Sequence, residues 1–117
     1  MRCLIVDDNR RFLDAARGRL EGQGLLVVGV ASNGSDAVQL ARELKPDVTL
    51  LDIDLGEESG FEVARRLQAH DSPLPIILIS THAEQDYLDL IAESSALGFL
   101  AKADLSAAGI LDLLGSG

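Results

Sequence analysis

Side chains that could carry chemistry stand directly after short apolar stretches of this sequence. They are carboxylates, hydroxyls, one imidazole and one ammonium group: Asp7, Asp8, Asp52, Asp54, Ser80, Thr81, His82 and Lys102. Carboxylates gathered at one place repel one another, because two unit charges ~4 Å apart interact by ~4 kcal/mol at an effective dielectric constant of ~20. A raised pKa, the Lys102 cation or a bound divalent metal would have to offset that repulsion.

The residue types in this set suit phosphoryl transfer. Ligands that are all oxygen favour Mg²⁺, Mn²⁺ or Ca²⁺ over zinc or copper, and Mg²⁺ at such sites is typically held by one or two carboxylates and water. A carboxylate beside a metal and a lysine can act as a nucleophile and form an acyl phosphate. Each residue taken alone also has a plain explanation, since aspartate caps helices, serine and threonine form turns, and lysine is usually solvated.

Apolar stretches alternate with segments of helical periodicity along the whole chain. The expected strands are Cys3–Val6, Leu25–Ala31, Val48–Asp52, Ile76–Ile79 and Gly98–Ala101. The expected helices are Arg10–Gln23, a stripe from Ala37 to Leu44, Phe61–Ala69, a segment within Glu84–Ser94, and Ser106–Leu114. Phe12 belongs to the apolar face of the first helix, Gly24 is expected to stop that helix, and Pro46 is expected to end the second. Residues 56–60 are expected to form a loop.

The strands are apolar without interruption, which indicates burial on both faces and hence a parallel sheet covered by helices. Five strand–helix units are too few for the closed barrel of eight. The sequence therefore predicts an α/β protein with a single open, doubly wound sheet. Ligands of such sheets bind outside the carboxyl ends of the strands, which is where the polar residues are expected to gather.

Composition limits the classes of function. The chain has 117 residues, 47% of them hydrophobic, which suits one globular domain and excludes a disordered chain. Ten basic and 19 acidic residues give a net charge of −9, so direct nucleic-acid binding by this chain is not expected. The single cysteine, Cys3, excludes an intramolecular disulfide, and no apolar run approaches the ~20 residues of a membrane span. The cytoplasm is the expected compartment.

Several segments, taken in order, resemble the receiver domain of bacterial two-component response regulators. They are Leu4–Asn9, Lys45–Leu55, Gly60–Glu62, Ile76–Ser80 and Gly98–Lys102. The resemblance covers essentially all of residues 1–117 as one receiver domain, and it implies a flavodoxin-like (βα)5 fold with strand order 2-1-3-4-5. The stretch 102–104 further resembles the same stretch of receivers that carry LuxR-type output domains. The output domain itself is expected to be absent from residues 1–117.

The resemblance implies a role for each polar residue around the acceptor. Asp52 would be the phosphoacceptor, and Lys102 would contact the phosphoryl group. Asp7 and Asp8 would hold Mg²⁺, or alternatively Mn²⁺, together with Asp52 and the backbone carbonyl of Asp54.

A switch next to the acceptor is also implied. Ser80 would be the hydroxyl that moves to a phosphoryl oxygen, Thr81 is the second choice for that role, and Phe99 would then turn inward. The charge and acceptor oxygens of the phosphoryl group would bias the face formed by the fourth helix, the fifth strand and the fifth helix. The protein would be a signalling switch that catalyses its own phosphorylation and dephosphorylation, and not a turnover enzyme.

The implied partners are a sensor histidine kinase and an output domain or downstream protein, with transcription regulation as the process. A homodimer through the face just described is an alternative to simple helix packing within the monomer.

Some positions depart from the family pattern. Gly56 stands where the family often has proline, so the loop is expected to be looser. Thr81 stands where a small residue is common, and it would narrow access to Asp52. Asp54 and His82 occupy the variable positions that flank the site, and we hypothesise that they pair across it and influence the attacking water.

Three other functions fit parts of the sequence. Asp52–Gly56 resembles the nucleophile motif of haloacid-dehalogenase-type phosphatases, although that motif normally lies on the first strand. A flavodoxin-like electron carrier would need a phosphate loop at the place where Asp7–Asn9 would repel a phosphate. A receiver that acts as an unphosphorylated binding module stays open, although every acceptor-site residue is present.

Overall fold

The computed structural model describes residues 1–69, 74–81, 87–94 and 96–115. Its strands are β1 (Arg2–Val6), β2 (Leu26–Ala31), β3 (Val48–Asp52), β4 (Asp54–Leu55), β5 (Glu58–Ser59), β6 (Ile76–Ser80) and β7 (Gly98–Ala101). Its helices are α1 (Arg10–Gly22), α2 (Gly34–Leu44), α3 (Gly60–Gln68), α4 (Leu88–Glu93) and α5 (Ala107–Gly115), with a 3-10 helix at Lys102–Asp104. All the predicted strands and helices are present, most of them with ends within one or two residues of the prediction.

Five strands form one parallel sheet in the order β2-β1-β3-β6-β7. Once the two short strands are set aside, this is the predicted order 2-1-3-4-5, and the doubly wound, flavodoxin-like fold is confirmed. The chain moves from β1 to one side for β2 and to the other side for β3, so the strand order reverses between β1 and β3. The carboxyl ends of these two strands therefore open a crevice where such sheets bind ligands.

The segment after β3 differs from the prediction. Residues 56–60, expected to be a loop, contribute to an antiparallel hairpin of β4 and β5 and to the start of α3. The turn between β4 and β5 contains Gly56 at φ 74°, a left-handed conformation. Proline could not take this conformation, because its ring holds φ at about −65°. Strands of two residues carry too little periodicity to be recognised from sequence.

Two apolar clusters cover the two faces of the sheet. The first cluster lies between the sheet and the helices α1 and α5, and includes Ile5 and Leu50. The second cluster lies between the sheet and the helices α2 and α3, and includes Leu4 and Leu51. Neighbouring residues of one strand thus face opposite clusters, which explains why the strands are apolar without interruption.

The two ends of α1 fix the segment that follows β1. At the start, Asn9 Oδ1 accepts a hydrogen bond of 3.2 Å from the backbone N–H of Phe12, which caps the helix. At the end, Gly24 has φ 96° and the N–H of Leu25 donates to the carbonyl of Leu20 at 3.0 Å, as in a Schellman motif. The predicted stop at Gly24 is confirmed.

The fourth predicted helix is described in part. Its observed portion, α4, covers Leu88–Glu93, and residues 82–86 lie outside the described part of the chain. Among the helices that the structure describes, none is long and apolar enough to cross a membrane.

Candidate functional site

The polar residues predicted to gather at one edge of the sheet lie at the carboxyl ends of four strands. Asp7 and Asp8 follow β1, Asp52 ends β3, Ser80 ends β6, and Lys102 follows β7. Parallel pairing of β1, β3, β6 and β7 aligns these ends. The sheet topology therefore brings together residues from four separate parts of the sequence.

Three carboxylates form the centre of the site. One oxygen from each of Asp7, Asp8 and Asp52 lies within 4.8 Å of the other two. Asp7 is fully buried and Asp52 is 5% exposed, whereas Asp8 is exposed. Two of the three negative charges are thus removed from water, and they need partners within the protein.

Lys102 supplies positive charge to the two buried carboxylates. Its Nζ lies 2.5 Å from Asp7 Oδ2 and 3.3 Å from Asp52 Oδ2. The Phe12 ring covers another side of the same ammonium group, with its centroid 4.4 Å from Nζ. The lysine side chain is 13% exposed, so these contacts form with little access to solvent.

Backbone N–H groups fix the other oxygen of each buried carboxylate. The N–H of Asn9 donates to Asp7 Oδ1 at 2.8 Å, and the N–H of Asp54 donates to Asp52 Oδ1 at 3.2 Å. Each carboxylate therefore has one oxygen held by the backbone and the other turned towards Lys102.

The surroundings shift the ionisation of Asp52 and Lys102. Burial and, after it, the charge of Asp7 raise the pKa of Asp52 to about 6, although the N–H of Asp54 and the ammonium of Lys102 act in the opposite direction. Burial lowers the pKa of Lys102, but its contacts with Asp7 and Asp52 outweigh that effect and raise the pKa above its ordinary value. At neutral pH most of Asp52 is ionised and Lys102 is charged.

The acidic centre fits a divalent cation. Asp7 Oδ2 is buried, and the Lys102 ammonium is the one polar partner that the described residues give it, so this oxygen keeps lone-pair capacity for a ligand. The donor set consists of oxygen atoms alone, which suits Mg²⁺ or Mn²⁺.

An open cleft of about 210 Å³ passes over the site. Among the residues that the structure describes, its lining consists of polar residues and one glycine: Asp8, Asn9, Asp52, Asp54, Gly56, Ser80, Thr81 and Lys102. The prediction named most of these residues. His82 lies outside the described residues, so its pairing with Asp54 stays a hypothesis.

Ser80 and Thr81 both line the cleft but differ in burial. Ser80 is 2% exposed, whereas Thr81 is exposed and also borders a neighbouring groove beside α1. The preference for Ser80 as the switch hydroxyl, and the narrowing of access by Thr81, stay predictions.

Phe99 does not contribute to the lining of the cleft. It lies in β7, in register with Leu78, and packs half-buried against the second apolar cluster. An inward turn of this ring is a further step that stays a prediction.

Sequence reasoning did not assign two residues to the site. Phe12 was expected on the apolar face of the first helix, and its contact with Lys102 was not foreseen. Gly60 starts α3 so close to β3 that a Cβ there would overlap the carbonyl oxygen of Asp52. An aromatic residue four positions after Asp8 carries no signal until the tertiary structure is known, and the family resemblance includes Gly60 but implies no role for it at the site.

Comparison with known proteins assigns the chain to a family. The model of the response regulator receiver domain matches residues 3–109. The transcriptional regulatory protein LiaR of Bacillus subtilis is 33% identical over 108 residues, a match that covers 92% of this chain and 51% of LiaR. The chain spans about half the length of most of the curated relatives it matches.

Solved structures of receivers share the fold. The signal receiver domain of a modulated diguanylate cyclase from Desulfovibrio desulfuricans G20 has a TM-score of 0.80 and 35% identity, with 98% of this chain and 90% of that chain covered. A two-component response regulator of the LuxR family from Aurantimonas sp. SI85-9A1 has a TM-score of 0.86 and 27% identity, with 97% and 85% covered. Because the family model and these relatives match most of its length, the chain belongs to the response regulator receiver domains.

Proposed function

We propose that this receiver domain is a phosphoacceptor switch in which Asp52 takes up the phosphoryl group. The observation that carries the proposal is the burial of the Asp52 carboxylate beside Asp7 and Lys102 at the end of β3. The N–H of Asp54 orients this carboxylate, and the cleft gives access to it. A buried and oriented carboxylate beside a cation suits nucleophilic attack.

The phosphorylation step uses the ionised form of Asp52. With a pKa of about 6, most of the acceptor is ionised at neutral pH. A carboxylate oxygen attacks the phosphorus of a phosphohistidine or of a small acyl phosphate, the bond from phosphorus to the donor breaks, and an acyl phosphate forms on Asp52. Water that later attacks the phosphorus breaks its bond to the carboxylate oxygen, which releases inorganic phosphate and returns the free carboxylate.

Lys102 is the residue that balances charge during the transfer. Its ammonium group lies 3.3 Å from Asp52 Oδ2 and can follow the negative charge onto the phosphoryl oxygens. Because the ammonium is already held at the acceptor, little reorganisation is needed when the charge develops.

We assign the metal ligands to Asp7, Asp8 and Asp52, with the backbone carbonyl of Asp54 as the remaining protein ligand. The closeness of the three carboxylates and the buried Oδ2 of Asp7 support this assignment. Mg²⁺, or Mn²⁺ in its place, would supply positive charge to the oxygens of the phosphoryl group when bound.

Ser80 is the proposed switch hydroxyl, and Thr81 is the second candidate. Ser80 lines the cleft and ends β6, the strand that pairs with both β3 and β7. A phosphoryl group adds about −1.5 to −2 charges and three acceptor oxygens, to one of which this hydroxyl can donate. The resulting shift at the end of β6 would favour an inward position of Phe99 in β7.

The proposed partners follow from the same family. Residues 1–117 form one receiver domain that accepts its phosphoryl group from a sensor histidine kinase in the cytoplasm and acts on an output domain or downstream protein in transcription regulation. The domain catalyses its own phosphorylation and dephosphorylation but turns over no other substrate. A partner or a second copy of the chain could bind the surface formed by α4, β7 and α5. Exposed leucines on α4, just before β7 and on α5 support this proposal: Leu88, Leu90, Leu97 and Leu111.

Intact mass spectrometry after incubation with acetyl phosphate tests the proposal. Wild-type protein should gain one phosphoryl group when Mg²⁺ is present, and the adduct should be lost on treatment with hydroxylamine. Asp52→Asn is the matched control and should gain none. A wild-type protein that binds Mg²⁺ but takes up no phosphoryl group would refute the acceptor function and favour a binding module.

A further inference from the structure

Phe12 contacts the ammonium group of Lys102 through the face of its ring. The distance of 4.4 Å from Nζ to the ring centroid lies within the ~6 Å over which a cation is attracted to an aromatic face. Since the lysine side chain is 13% exposed, water weakens this attraction little.

The Phe12 ring is held in place from two directions. Its backbone N–H is bonded to the side chain of Asn9 in the first turn of α1, and the ring packs half-buried against the first apolar cluster. Asn9 also donates its own N–H to Asp7 Oδ1. One residue therefore fixes both the start of the helix that carries the ring and the carboxylate that faces Lys102.

The three groups that contact the ammonium in the described part of the chain, namely two carboxylates and one ring, act on it in different ways. Asp7 and Asp52 attract it through oxygens that a metal ion or a phosphoryl group would also engage. The ring attracts it without offering a ligand atom to a metal and without accepting a proton. The attraction by the ring therefore persists when the carboxylates change partners.

We infer that Phe12 is a positioning residue that keeps the Lys102 ammonium at the acceptor through a cation–π contact, an inference that rests on the proposed phosphorylation of Asp52. A lysine side chain has four flexible carbon atoms and loses considerable rotamer freedom when it is fixed. The ring reduces the number of positions open to the ammonium, so the cation is already in place when the phosphoryl group arrives.

Fluorinated phenylalanines at position 12 test the role of the ring face. Fluorine withdraws charge from the face and changes the size of the ring little, so each added fluorine should weaken the attraction. The rate of phosphoryl uptake from acetyl phosphate should fall stepwise from one to three fluorine atoms, and should end about 3- to 10-fold below wild type. Phe12→Tyr should keep the wild-type rate of phosphoryl uptake. Phe12→Leu should lower that rate by as much as the trifluorinated ring does.

The same series at Phe61 is the matched control. That ring pairs with Tyr87, with centroids 6.3 Å apart, on the side of the second apolar cluster. Fluorination there should give no stepwise change in rate. A rate that stays constant across the series at position 12, or that follows side-chain volume instead of fluorine number, would overturn the inference.

A second readout separates this inference from the proposed function. In wild-type protein the ring current of Phe12 should move the proton signals of the Lys102 methylene next to Nζ upfield, and Phe12→Leu should remove that shift. Equal signals in the two proteins would overturn the inference. A wild-type protein that takes up no phosphoryl group would overturn the proposed function, while the methylene signals would still report on the contact.

Discussion

Asp52 has to be buried enough to be oriented and ionised enough to attack a phosphoryl group. Burial and Asp7 raise its pKa, and the N–H of Asp54 together with Lys102 holds that rise at about 6. The ionised acceptor is therefore less favourable in the folded protein than in water. This free-energy cost of ionising Asp52 in the folded protein can be measured without phosphorylation.

The first prediction is that Asp52→Asn stabilises the folded protein above pH 7 when no divalent metal is present. In the unfolded chain an aspartate has a pKa of about 4. Between about pH 4 and pH 6 the folded state keeps a proton that the unfolded state has lost, so wild-type stability falls as the pH rises through this window. Asparagine is free of this effect, so the gain should reach at most about 3 kcal/mol above pH 7 and shrink towards pH 4.

Urea denaturation between pH 4 and pH 8 in the presence of a chelator measures this difference. Asp14→Asn, which changes an exposed aspartate of α1, is the control and should show no comparable dependence on pH. A gain for Asp52→Asn that is the same at pH 4 and pH 8 would contradict this account of the acceptor.

The second prediction concerns Lys102. Removal of its ammonium in Lys102→Ala should slow phosphoryl uptake from acetyl phosphate by about 100-fold, because a charge that is already in place at the reacting group is lost. Arg11→Ala removes an exposed positive charge of α1 and should leave the rate nearly unchanged. A time course by mass spectrometry compares the variants, and a wild-type rate in Lys102→Ala would show that the ammonium takes no part.

At the scale of elements, the large strands and helices could be predicted because the spacing of their apolar residues reflects which of their faces are buried. Strands covered on both faces are apolar throughout, and the helices between them repeat apolar residues with helical spacing. The meeting of Asp7, Asp8, Asp52 and Lys102 followed from the same topology, since the carboxyl ends of parallel strands share one edge.

The hairpin of β4 and β5 could not be predicted in this way, because contacts with distant elements support it. Glu58 Oε2 accepts a hydrogen bond of 2.8 Å from the N–H of Gly34 at the start of α2, and Glu58 Oε1 lies 3.7 Å from Arg66 of α3. The contacts of Phe12 and Gly60 at the site have the same character. Local sequence pattern carries no information about such tertiary partners.

The third prediction tests the close approach of α3 to the acceptor strand. Gly60→Ala should destabilise the fold by about 2–4 kcal/mol, because the new Cβ would overlap the Asp52 carbonyl and force α3 away from β3. Gly18→Ala is the control, since a Cβ at this position in α1 meets no atom within 4 Å apart from the backbone of its own helix and its chain neighbours. It should be neutral or stabilising by up to about 1 kcal/mol, as alanine favours helix.

Chemical denaturation of the two glycine variants beside wild type gives this comparison. Equal stabilities of Gly60→Ala and wild type would mean that α3 does not lie against the backbone of Asp52 as described.

At the scale of the whole molecule, the protein is strongly acidic, and part of its negative charge is concentrated at one edge of the sheet. The chain carries a net charge of −9, and three of its carboxylates lie within 4.8 Å of one another at one edge of the sheet. A divalent cation bound there would relieve this repulsion in the folded state alone, because the unfolded chain does not hold the carboxylates together.

The fourth prediction is that Mg²⁺ raises the melting temperature. At a Mg²⁺ concentration ten times the dissociation constant, the gain should be about 1.4 kcal/mol. Asp8→Asn should lose most of this gain without loss of fold, since Asp8 is exposed, and Asp14→Asn should keep it. Thermal denaturation in MgCl₂ and in NaCl of equal ionic strength separates binding from screening, and equal melting temperatures in the two salts would refute the metal site.

Borohydride reduction of the phosphorylated protein tests the central claim most directly, because it converts an aspartyl phosphate into homoserine at the residue that carried the phosphoryl group. Peptide mass spectrometry then identifies that residue. We predict homoserine at position 52 and at none of Asp7, Asp8 or Asp54. Homoserine at one of these neighbours, or at no position in a protein that has bound Mg²⁺ and been exposed to acetyl phosphate, would contradict the account.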